Sequence, residues 1–157
     1  MIRVLFVCLG NICHSPSAEG VFRHLVDQEG LSDQIQIDSC GTLDHHEGEE
    51  ADPRMRKHAK GRGYDLKSIA RGIRPEDFKN FDHIITMDDS NFDDVIAMAK
   101  GDEQNKVQRM TDFCSHHKMG HVPDPYFGGP EGFELVLDLL EDACKGLLQQ
   151  LKVELKK

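Results

Sequence analysis

A chain of 157 residues, 38% of them hydrophobic counted with Tyr and without Gly, has the composition of one globular domain and excludes disorder over most of its length. Its formal charge of -9, from 19 Lys and Arg against 28 Asp and Glu, argues against nucleic acid as a partner, because phosphate backbones reward net positive surface. No apolar run approaches the ~20 residues of a membrane helix and no signal-type segment follows the start, so a soluble, cytoplasmic protein without a membrane partner is expected, its Cys residues reduced.

Ile2 to Cys8 is nearly all apolar (Ile2, Val4, Leu5, Phe6, Val7), the pattern of a central strand covered on both faces. Ser15 followed by Pro16 reads as an N-cap with Pro at the first helical position, and Ala18, Val21, Phe22, Leu25 and Val26 repeat at helical spacing until Gly30. Ile35 to Ser39 reads as a second strand, and Asp52-Pro53 opens a second helix that Gly61 or Gly63 stops. His83 to Met87 is a third strand, followed by a helical stripe of Phe92, Val95, Ile96 and Ala99 that ends at Gly101. Lys106 to Met110 carries a weaker strand signal. From Pro130 to about Leu151, Phe133, Val136, Leu137, Leu140, Ala143, Leu147, Leu148 and Leu151 mark a long C-terminal helix. Strands alternating with helices imply right-handed crossovers. The predicted fold is α/β: a single-domain, doubly wound, four-stranded parallel sheet with helices on both faces and a phosphate-binding loop after the first strand.

Ligands of such sheets sit beyond the carboxyl ends of the strands, which nominates the segment from Cys8 to Ser15. Successive backbone N–H groups of a tight turn that feeds a helix converge on one anion, and the helix dipole adds positive potential. The same field favours thiolate over thiol and makes Cys8 a nucleophile. The segment is neither a Walker loop nor a C-x-x-C redox motif. Arg54, Arg56, Lys57, Lys60, Arg62, Lys67, Arg71 and Arg74 lie in one stretch opposed only by Asp65, either a solvated helix face or a local attraction for anions. Cys114, His116, His117 and His121 are metal-ligating residue types, but their spacing fits no standard site, so a polar loop and no metal are expected.

Val7-Cys8-Leu9-Gly10-Asn11-Ile12-Cys13 followed by Ser15-Pro16-Ser17-Ala18-Glu19 resembles the Val-Cys-x5-Arg-Ser-Pro loop of the low-molecular-weight protein tyrosine phosphatases. Asp38-Ser39, Asp52-Pro53-Arg54, Ala70-Arg71, Asp82 to Met87 with Asp88 and Ser90-Asn91, and Asp124-Pro125-Tyr126 match in family order, so the resemblance spans essentially the whole chain. It implies that Cys8 attacks phosphorus to give a cysteinyl-phosphate, while Asp124 protonates the leaving phenolate and then activates water. It further implies that Leu9, Gly10, Asn11, Ile12, Cys13 and Ser15 hold the phosphoryl group, with Asn11 and Ser15 shaping the loop, Ser39 supporting Asn11, and Tyr126 walling the cleft. A phosphotyrosine-containing protein or a small aryl phosphate is the implied partner, with no cofactor. Ile12, where the phosphoarginine branch carries Thr, favours the aryl ester.

Departures from the family pattern carry their own expectations. His14 stands in place of the loop Arg: a guanidinium grips phosphoryl oxygens bidentately, whereas imidazole offers at most one in-plane donor on that side. The expected outcome is a weakened phosphatase, with a phosphate-binding module of little turnover as the alternative. His45 stands where an aromatic that guides the substrate is common, and Ser68 where a His that supports the loop Asn is usual. Cys13 reads either as a resolving thiol for reversible oxidation of Cys8 or as a small buried residue.

Overall fold

The computed structural model describes residues 1–116, 121–123 and 129–156. Strand β1 (Ile2–Cys8) lies inside the sheet, paired in parallel with β2 (Ile35–Gly41) on one side and β3 (His83–Thr86) on the other. Beyond β3 runs β4 (Val107–Arg109), giving the order β2-β1-β3-β4 with every pairing among the described residues of these strands parallel. Register places Cys8 opposite Gly41, while β3 reaches only as far as Thr86, opposite Val7.

Side chains of β1 alternate between the faces of the sheet, and the two cores follow that alternation. Val4, Phe6 and Cys8 join the core made with α1 (His14–Gln28), α2 (Pro53–Gly61) and α5 (Gly129–Leu155). Leu5 and Val7 join the core made with α3 (Asp77–Asn80) and α4 (Asp89–Met98), through Phe78, Phe81 and Val95. Val4, Leu5, Phe6 and Val7 are all fully buried, which is why this strand reads as an uninterrupted apolar run. The predicted doubly wound sheet with helices on both faces is therefore the observed one.

Element ends differ from the sequence reading where a side chain has another partner. Helix α1 begins at His14 with Cys13 at the cap position, rather than being capped by Ser15. The Ser15 hydroxyl is engaged by Cys8 and Asn11, and Ser17 Oγ instead donates to the Cys13 carbonyl at 2.6 Å. Asp52 does cap α2, accepting from the N–H groups of Arg54 and Met55. The short helix α3 has no counterpart in the sequence reading, being too brief to show periodicity. Gly146 lies where α5 crosses the backbone after β4: a Cβ there would sit 1.9 Å from the Phe113 carbonyl oxygen.

Chain direction opens a crevice at the end of β1. From β1 the chain turns to α1 on one face, and from β3 it turns to α4 on the other, which parts the two connections above the strand ends. This is the topological switch point at which doubly wound sheets bind ligands.

Candidate active site

Cys8 sits at that switch point, 5% exposed, and lines a cavity of about 490 Å³. Its Sγ accepts from the Asn11 N–H at 3.2 Å and lies 3.0 Å from Ser15 Oγ. Ser15 Oγ also lies 3.4 Å from the Cys40 carbonyl, so its single proton has a closer acceptor in sulfur, the larger atom. The Asn11 amide from the loop and the Ser15 hydroxyl from the first turn of α1 thus both meet this sulfur.

The loop's carbonyls are committed elsewhere. Those of Cys8, Leu9, Ile12 and Cys13 accept from the N–H groups of Thr42 (2.9 Å), Leu43 (3.0 Å), Asp52 (2.7 Å) and Ser17 (3.2 Å). No peptide bond among the described residues is cis, so the N–H following each of these carbonyls points the opposite way. The amides of Leu9, Gly10, Cys13 and His14 thus turn away from the surrounding backbone. Gly41 allows the close approach that makes this possible, because a Cβ on it would meet the carbonyl oxygens of Leu9 and Leu43, each at 2.8 Å.

Asn11 is the keystone of the turn. It adopts a left-handed φ of 58°, a conformation that Asn tolerates better than most residues, and is 1% exposed. Its Nδ2 donates to Ser15 Oγ at 2.8 Å and to Ser39 Oγ at 3.0 Å, while its Oδ1 accepts from the Arg71 N–H at 3.0 Å. Ser39 passes the order on, donating to Glu19 Oε1 at 2.6 Å. Ser39 thus contacts Asn11 directly, whereas the buried Ser68 hydroxyl has no hydrogen-bond partner among the described residues, and the remaining bond to Asn11 comes from the backbone N–H of Arg71.

The cavity gathers residues that are far apart in sequence. Leu9, Gly10, Ile12, Cys13 and His14 line it from the loop, and Leu43 and His45 from the segment after β2. His46, Asp88, Asn91, His121 and Val122 also line it and have no site role in the sequence reading. Asp88 and Asn91 belong to a stretch that matches the family pattern, and Asp88 caps α4 by accepting from the Asn91 N–H at 2.7 Å. His14 Nε2 lies 2.9 Å from the carbonyl oxygen of Pro123 and donates to it. Asp124 and Tyr126, predicted as proton donor and cleft wall, lie outside the described residues, as does His117.

The basic stretch is largely neutralised by the fold. Arg62 contacts Glu134, Asp138 and Glu141 of α5, Arg71 bridges Asp38 and Asp77, Arg56 pairs with Glu50, and Arg74 with Glu47. Burial works to raise the Glu134 pKa, but hydrogen bonds from His58 and Arg62 outweigh it and hold the carboxyl below its usual range. Cys114, one of the candidate metal ligands, directs its thiol to the Leu139 carbonyl of α5, and burial followed by the nearby Asp142 pushes it up to about 11.

Residues 3–157 match the family model described as low molecular weight phosphotyrosine protein phosphatase. A putative low molecular weight protein-tyrosine-phosphatase of Synechocystis is 46% identical over 155 residues, covering 98% of this chain and 99% of that protein. The low molecular weight phosphotyrosine protein phosphatase of Schizosaccharomyces pombe is 44% identical over 96% of this chain and 97% of its own. Among solved structures, a protein tyrosine phosphatase from Entamoeba histolytica with Hepes in its active site superposes with a TM-score of 0.95 at 45% identity, covering 98% of this chain and 99% of that one.

Proposed function

Since the chain belongs to the low-molecular-weight phosphotyrosine protein phosphatase family and is a cysteine-dependent phosphatase, we propose that it hydrolyses aryl phosphates, phosphotyrosine in proteins among them, through a cysteinyl-phosphate on Cys8. The observation that carries this reading is Cys8 in the lining of the cavity, its sulfur met by the Asn11 amide at 3.2 Å and by Ser15 Oγ at 3.0 Å.

Inward-turned amides of the loop bind three phosphoryl oxygens while α1 adds the potential of its N-terminus. Sulfur attacks phosphorus in line, an S–P bond forms, and the P–O bond to the phenol breaks. The electron pair leaves with the phenolate oxygen, which takes the Asp124 proton. Water then attacks the phosphorus, gives its proton to the Asp124 carboxylate, and inorganic phosphate departs as the thiolate is restored. Leu9 and Leu43, 54% and 43% exposed, flank the cavity with apolar surface suited to an aromatic ring. Cys13 is 8% exposed and lines the same cavity as Cys8, which supports its role as the resolving thiol when peroxide oxidises Cys8.

Release of inorganic phosphate from phosphotyrosine peptides by the native chain and by Cys8→Ser tests the reading. Turnover is expected from the native chain and none above background from the variant, with phosphopeptide binding retained. Binding without turnover in the native chain would favour the alternative, a phosphotyrosine-binding module.

A further inference from the structure

We propose that His14 is a positioning residue for the proton donor rather than a ligand of the phosphoryl group. The inference rests on the reading of Asp124 as the general acid. The Pro123 carbonyl that accepts from His14 Nε2 at 2.9 Å belongs to the peptide unit joining Pro123 to Asp124. That unit is planar, so a bond to its oxygen restrains the point from which Asp124 departs.

A second bond acts on the same short segment. The Val122 N–H donates to the Met87 carbonyl at 2.8 Å, and Val122 is 2% exposed. Residues 121–123 are thereby held between the end of β3 and the first residue of α1, beside the nucleophile's loop. An imidazole at position 14 is well matched to this contact, being rigid, half-buried, and able to donate through a single ring N–H along a fixed line. Residue 14 thus couples the turn that presents Cys8 to the segment that precedes Asp124. The phosphoryl oxygens remain with the loop amides.

The two roles separate by leaving group. Protonation matters for a poor leaving group such as phenol and little for a good one such as 2,4-dinitrophenol, whereas a phosphoryl ligand matters equally for both. His14→Ala is therefore expected to lower kcat/KM, which reports formation of the cysteinyl-phosphate and not its hydrolysis, by roughly 10²-fold on phenyl phosphate, the order of loss from misplacing a reacting group by about an ångström, and by less than about threefold on 2,4-dinitrophenyl phosphate. His14→Gln, whose amide N–H reaches to a similar place, is expected to recover most of the loss, and it also serves should the Ala variant fold poorly. In an Asp124→Asn background, His14→Ala is expected to have no further effect on phenyl phosphate. Equal losses on both esters, or full additivity with Asp124→Asn, would overturn the proposal. If Asp124→Asn itself shows no selective loss on the poor leaving group, the assignment of Asp124 fails instead, and the His14 role with it.

Discussion

Replacing His14 with Arg measures what the phosphate-binding loop lacks. In the native chain Nε2 of His14 is committed to the Pro123 carbonyl at 2.9 Å, so no bidentate cation grips the transferring phosphoryl group from this position. A guanidinium at the first residue of α1 adds a planar fork with permanent charge, matched to two phosphoryl oxygens. The loop amides and the dipole of α1 are the same in both proteins, so the gain is that of one strong oxyanion contact. Such a contact is worth about 2.7–4 kcal/mol, or on the order of 10²–10³ in turnover. The assay is steady-state hydrolysis of an activated aryl phosphate, whose leaving group needs little protonation, followed from about pH 5 to 8, the range over which imidazole commonly changes charge. His14→Arg is expected to raise kcat/KM, which reports the step that loads Cys8 and not the Asp124-assisted hydrolysis, by that factor across the range. No gain would refute the account of position 14 as a site of weakened transition-state stabilisation.

Asn11→Ala removes three side-chain hydrogen bonds from a buried turn and leaves Ala at a φ of 58°. Urea denaturation is expected to register a loss of roughly 2–4 kcal/mol, and a change below about 0.5 would contradict the keystone role. Burial raises the thiols of Cys40 and Cys144, and burial followed by Asp142 raises that of Cys114 to about 11. Iodoacetamide near neutrality is thus expected to modify Cys8 well before these three; peroxide is expected to give a Cys8–Cys13 disulfide that dithiothreitol reverses, and Cys13→Ser to inactivate irreversibly. The lowered Glu134 pKa means that its contribution to stability is present above the usual carboxylate range and is lost as pH falls through the folded-state value. Melting temperature should therefore fall less on acidification in Glu134→Gln than in the native chain, and parallel profiles would exclude the link.

The sheet was legible because β1 is buried on both faces, leaving a run from Val4 to Val7 with no polar interruption. Cys8 was legible for the same reason, as the residue where that run ends and a Ser-Pro helix start follows. The start of α1 was misread because a Ser before a Pro looks like a cap, whereas this hydroxyl serves the thiol and Asn11. Charge in the Arg54 to Arg74 stretch was not legible as neutral, since Arg62 finds its carboxylates on α5, more than seventy positions away. The contact between His14 and Pro123 spans 109 positions and leaves no local pattern at all. His46 and His121 reach the cavity from separate loops, and only the folded chain brings them to it.

The central claim is that the Cys8 sulfur takes the phosphoryl group. Rapid acid quench of the enzyme with an excess of aryl phosphate, followed by peptide mass spectrometry, tests it directly. The account predicts one added phosphoryl group on the peptide bearing Cys8, accumulating in Asp124→Ala when an activated ester is used and absent from Cys8→Ser. Phosphate release without any such adduct, or undiminished turnover in Cys8→Ser, would contradict it.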